Sequence, residues 1–83
     1  LGPRSRYARW AAVMGGEFRL LREALARGEP TLLSPYAATE PAEFFAVASE
    51  VFFEQPQALA ERHGALYQEL SRYYGVNPLG WQD

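Results

Sequence analysis

An all-α fold, a small bundle of three main helices over residues 4–26, 40–54 and 57–74, is predicted by two observations. Apolar residues recur at spacings of three and four in each stretch, and proline or glycine separates each stretch from the next. The 83 residues form one domain, 1–83, and a chain of this length buries only about 60% of the surface its unfolded form exposes, so its core is thin.

The first pattern runs through Tyr7, Trp10, Met14, Phe18, Leu21 and Leu25, with arginines and glutamates on the opposite side. Gly15 and Gly16 weaken it by about 1 kcal/mol each relative to alanine, which predicts a kink or the close approach of another element. Gly28 and Pro30 end the helix. Residues 29–38 read as a loop, with Leu32 and Leu33 as an apolar patch, Ser34-Pro35 as a turn signal, and Tyr36 within it.

The second helix starts at Thr39 or Glu40, where Thr39 can cap the free N–H groups and Pro41 occupies the first turn without loss of a hydrogen bond. At about 100° per residue, Glu43, Glu50 and Glu54 fall within roughly 40° of one another, while Phe44, Phe45, Val47, Ala48, Val51, Phe52 and Phe53 sweep most of the remaining circumference. Such a helix is expected to be buried nearly all round. Its acidic line faces either a strip of water or a site that needs carboxylate oxygen, and the pattern leaves both open.

Gln55-Pro56 breaks this helix, and a third pattern follows through Leu59, His63, Leu66, Leu70 and Tyr73, with Gly64 as an interruption. His63, the one histidine, lies on the apolar stripe and reads as a packing residue with its ring N–H on a carbonyl or water. Tyr67, Tyr73 and Tyr74 read as core or flanking aromatics. Asn77-Pro78 ends the order, and the tail NPLGWQD reads as a surface extension on which Trp81 could dock.

Composition removes several classes of function. Eight basic and ten acidic residues give a net charge of −2 with no basic run or stripe, which argues against nucleic-acid binding and against an anionic-membrane anchor. Without cysteine there is neither disulfide nor thiolate chemistry. No apolar run approaches the roughly 20 residues of a membrane span, and LGPRSRYARW, with no hydrophobic stretch after its arginines, does not read as a signal peptide. A chain opening on Leu rather than Met reads as a piece of something longer.

The runs SPYAATEPAEFFAVASEVFFEQP and LAERHGALYQELSRYYGVNP, with WAAVMGGEFRLLREALARGEPTLLSPYAAT upstream, resemble the C-terminal part of the Mlc titration factor A family of zinc-dependent peptidases over nearly the whole chain. The shorter pattern Y-x6-E-F-F-A, at Tyr36 and Glu43–Ala46, is similar to the catalytic domain of anthrax lethal factor, which implies a shared gluzincin-like core. In those families a helix bearing H-E-x-x-H supplies two histidine ligands and a general-base glutamate, and a later helix supplies a glutamate as third zinc ligand. The resemblance implies that Glu43 is that ligand and that Tyr36 faces the metal and stabilises the oxyanion of the tetrahedral intermediate. Glu50 aligns with an acid of the family pattern and would at most stand behind the ligands.

The chain departs from the family in containing no H-E-x-x-H. Zinc is therefore expected in a full-length parent, where an upstream segment of the same protein brings the histidines and a peptide is the substrate. The 83 residues alone are expected to be inactive and to hold zinc only weakly. Ser34 also departs, since relatives have an acid before Pro-Tyr. The resemblance implies a cytoplasmic metallopeptidase. It leaves as alternatives a protein-interaction module that binds a transcriptional repressor of sugar uptake and a structural helical cap. An apolar face normally covered by the upstream segment would promote self-association of the isolated fragment.

Overall fold

The computed structural model describes residues 3–81, which form four α-helices and two short 3₁₀ turns, with no strand among them. Helix α1 spans Pro3–Ala26, α2 Pro41–Glu54, α3 Pro56–Arg62 and α4 Gly64–Tyr74. The all-α bundle expected from the periodicity is present. Its third pattern is divided at His63, directly before Gly64, so that α3 and α4 are separate helices with His63 at their junction.

Each helix end has a local cause. Gly28, at φ 73°, takes the left-handed conformation beyond α1. The Gly28 amide then donates to the carbonyl of Leu25 and the Glu29 amide to that of Ala24, which closes the last turn. Gly75, at φ 70°, closes α4 in the same manner, with the amides of Gly75 and Val76 both donating to the carbonyl of Ser71. Proline opens α2 and α3 at Pro41 and Pro56, where a missing N–H costs nothing. Gly15 and Gly16 neither interrupt α1 nor admit a neighbour: the helix is continuous, and a Cβ at either position would meet nothing within 4 Å.

The core is built from Leu21 of α1, Leu33 and Ala37 of the connecting loop, Phe44, Ala48, Val51 and Phe52 of α2, Leu59 of α3, and Leu66, Tyr67 and Leu70 of α4. Phe52, Leu59, Leu66 and Leu70 are wholly removed from solvent. Aromatic edges tie the layers together, with Phe18 of α1 meeting Phe44 edge-on at 5.9 Å and Phe52 against Tyr67 at 5.0 Å.

The molecule measures 36 × 36 × 18 Å, and 18 Å admits only about two layers of helices packed 8–10 Å apart. Helix α2 is therefore not buried all round. Phe44, Ala48, Val51 and Phe52 face the core, but Ala46 and Phe53 are exposed, because too few helices surround α2 to cover it. Tyr7 likewise leaves the apolar stripe of α1 and is exposed.

The tail does not end its order at Asn77-Pro78. Tyr67 donates its hydroxyl to the Asn77 side chain and accepts the Leu79 amide at 3.2 Å, Pro78 is buried, and Pro78–Trp81 forms a 3₁₀ turn. Trp81 lies over Phe53 with ring centroids 6.2 Å apart, so it docks while keeping much of its surface in water. No helix of the described residues is long and apolar enough to cross a membrane.

Candidate functional site

The loop before α2 is held by short-range hydrogen bonds that the sequence specifies. Ser34 has an extended backbone, and its hydroxyl accepts the Tyr36 amide at 3.1 Å, starting a 3₁₀ turn over Pro35–Ala38. Thr39 donates both its hydroxyl, at 2.8 Å, and its amide, at 3.2 Å, to the Tyr36 carbonyl. Ala37 is completely buried against the core. These contacts fix the backbone on both sides of Tyr36 and leave its ring 57% exposed.

Thr39 thus serves the loop rather than the helix. The N-cap of α2 is Glu40, in extended conformation and without a side-chain cap. The hydroxyl of Thr39 is already committed to Tyr36, which removes it from the capping role its identity suggests.

Glu43 lies in the first turn of α2 and is half-buried, whereas Glu50 and Glu54 are exposed. The phenol of Tyr36 is held above its ordinary pKa of 10.0. The first cause is the neighbouring Glu43 carboxylate, as an acceptor and then as a charge, followed by burial and the charge of Glu40. The folded-back loop therefore brings Tyr36 and Glu43 to one side of the helix.

This pair is a carboxylate with a phenol beside it, open to solvent. Among the described residues no group of three or more His, Cys, Asp or Glu side chains comes together to hold a metal ion. His63 stands elsewhere: its Nδ1 meets the Glu17 carboxylate of α1 at 2.9 Å, a side-chain partner in place of the carbonyl or water expected.

Two further features were not legible in the sequence. Glu69 of α4 is 4% exposed, and its Oε2 accepts from Arg9 Nε at 2.9 Å and Arg72 Nη2 at 2.5 Å. Beside them a cleft of about 670 Å³ opens between α1 and α4, with Phe45 of α2 as part of its wall. Arg9 and Glu69 lie 60 positions apart, so no local spacing signals the pairing.

Residues 1–75 match the family described as glucose-regulated metallo-peptidase M90. A protein of Synechocystis sp. bearing no functional name is 47% identical over 79 residues, covering 95% of this chain and 29% of that protein. Mlc titration factor A of Edwardsiella ictaluri is 38% identical over 79 residues, 93% of this chain and 30% of that protein. Mlc titration factor A of Serratia proteamaculans is 51% identical over 51 residues, 61% of this chain and 20% of that protein. The chain spans less than a third of the length of each of these relatives. No solved structure matches the chain.

Proposed function

Because the chain belongs to the glucose-regulated metallo-peptidase M90 family, we propose that it is the C-terminal part of a zinc metallopeptidase and completes the active site with Glu43 and Tyr36. The observation that carries this reading is that the pinned loop holds Tyr36 near the Glu43 carboxylate at the start of α2, close enough for the acid to raise the phenol's pKa.

On this reading Glu43 is the third ligand, and the two histidines come from an H-E-x-x-H segment outside these residues. Zinc, when bound, polarises the scissile carbonyl and lowers the pKa of a coordinated water towards about 7. The chain's own contribution is positional. Glu43 sits on a helix whose opposite face is packed into the core, so its carboxylate is oriented before any ligand arrives. Tyr36 is held near Glu43 by the loop, and its phenol, raised above its ordinary value by that acid, is a protonated donor. With Glu43 committed to a metal, the Tyr36 hydroxyl would be free to donate to the oxygen on which negative charge develops. The peptide substrate lies between this edge of α2 and the segment that carries the histidines.

The test compares two acids on the same line of α2 in the full-length protein. Glu43→Gln should lower zinc stoichiometry and peptide turnover together, whereas Glu50→Gln should leave both near wild type. Full zinc content in the Glu43→Gln protein would overturn the ligand assignment.

A second reading is that this part of the protein is an interaction module binding a transcriptional repressor, with the Tyr36–Glu43 pair incidental. It is favoured by the name of two relatives, Mlc titration factor A, and by the exposed aromatic surface of Phe53, Tyr74 and Trp81. Repressor binding that persists in the Glu43→Gln protein and is lost when these aromatics are replaced would support it.

A further inference from the structure

The cleft between α1 and α4 faces away from Glu43: Phe45, in its wall, stands two residues beyond Glu43 and so about 200° further round α2. We propose that it is a binding site for a small organic anion with a flat aromatic body, separate from the site assigned to peptide hydrolysis and independent of that assignment.

Three features define the ligand. The first is charge. Arg6, Arg9 and Arg72 converge on the cleft, and the one acid among its lining residues is Glu69, so two positive charges are in excess. Glu69 is buried and engages Arg9 through Nε and Arg72 through Nη2. A guanidinium carries five N–H donors, so each of the two keeps others to present, and the shared carboxylate holds both in fixed orientation. Arg6 makes no ion pair among the described residues.

The second feature is the aromatic floor. Trp10 and Tyr73 stack with centroids 5.1 Å apart, and Phe45 braces them edge-on at 5.9 and 5.4 Å. Tyr73 is 60% exposed and Tyr7 stands at the rim, so a ring face is open to a planar ligand. The third is size: about 670 Å³ lies within the range of small-molecule sites and admits one ring system with its acidic group. The anion meets the arginines while its ring lies on Tyr73 and Trp10.

The shared chemistry is an aryl anion, and its acidic group could be a carboxylate or a phosphate. The test titrates the full-length protein with benzoate in one arm and phenyl phosphate in the other. Neutral benzyl alcohol serves as control, and chemical shifts of Trp10 and Tyr73 report binding. The expected result is saturable binding of at least one anion, tenfold or more tighter than the alcohol and weakened by added salt. The arm that binds more tightly names the acidic group.

Arg6→Glu, which leaves the Glu69 clamp intact, should weaken anion binding at least tenfold without changing the circular dichroism spectrum. Tyr73→Ala should weaken both anions and remove the preference for ring-bearing compounds over acetate and inorganic phosphate. Equal binding of the neutral alcohol, or saturation unaffected by Arg6→Glu, would overturn the proposal. So would a dimer whose formation protects Arg6 and Tyr73 while neither anion binds.

Discussion

Tyr36 and Glu43, seven residues apart in sequence, lie close enough at the start of α2 for the acid to raise the phenol's pKa, because the intervening chain turns through a 3₁₀ segment anchored by buried Ala37. The contact gives Tyr36 a measurable signature in the absence of metal. Its phenol should titrate above 10.0, and Glu43→Gln should bring it back towards that value, because the charge is removed and only a weaker, neutral acceptor remains. The contribution to stability is present below the ordinary phenol pKa and is lost as pH rises through the folded value. NMR titration of the Tyr36 ring checks this, and an unchanged midpoint in the Glu43→Gln protein would separate the two residues.

In the full-length protein the same two positions should respond differently to substitution. Glu43→Gln exchanges an anionic ligand for a neutral one of similar shape, so zinc content and turnover fall together. Tyr36→Phe removes only a hydroxyl, so zinc stays near wild type while turnover drops by roughly 10²-fold, the cost of one lost oxyanion donor. The Tyr36 ring packs mainly against solvent, so neither change should alter folding. Equal loss of zinc in both variants would show that Tyr36 supports the metal rather than the transition state.

Helix bounds set by local rules were legible where Pro41 opens α2 and Gly28 closes α1, but residues 57–74, read as one helix, are divided at His63. The side of α2 that carries Glu43 also followed from residue spacing. Other features escaped as well. Thr39 was claimed by the Tyr36 carbonyl in preference to the helix start, a competition between neighbours that composition cannot decide. Tyr7 left its apolar stripe because nothing packs over that end of α1, a matter of tertiary cover. The Arg9–Glu69–Arg72 cluster joins α1 to α4, and no periodicity within either helix reports a pairing between them.

Adjacent phenylalanines on α2 should differ in what they contribute. Phe52 is wholly buried against Phe53, Tyr67 and Tyr74, so Phe52→Ala removes a core side chain at a cost of about 3–5 kcal/mol, enough to unfold much of a small domain. Phe53 is 41% exposed, and Phe53→Ala should cost about 1 kcal/mol or less. Thermal unfolding followed by circular dichroism ranks the pair, and equal losses would contradict the burial of α2 described above.

Phe53, Tyr74, Leu79 and Trp81 also present apolar surface together on the outside of the molecule. The isolated 83-residue chain should therefore self-associate with rising concentration. Replacing Phe53 and Trp81 by serine should shift sedimentation towards the monomer. A chain that is monomeric at millimolar concentration before any substitution would refute this use of the surface.

The last prediction concerns Glu69, where the direction of substitution decides the outcome. Its carboxylate is 4% exposed, while Arg9 and Arg72 are 46% and 48% exposed, so the acid has given up its hydration and the arginines have kept much of theirs. Removing both arginines, as Arg9→Met with Arg72→Met, strands a charge in the interior and should cost about 1–3 kcal/mol. Solvent reaching the cleft keeps this below the penalty of a fully enclosed ion. Glu69→Leu removes the buried charge itself and leaves two arginines free to hydrate, so it should cost less than the double substitution despite breaking the same two contacts. Urea unfolding with unchanged m-values makes the comparison through the midpoints. If Glu69→Leu proved the more damaging, the attraction between the three groups, and not the cost of an unpaired buried acid, would be what joins α1 to α4.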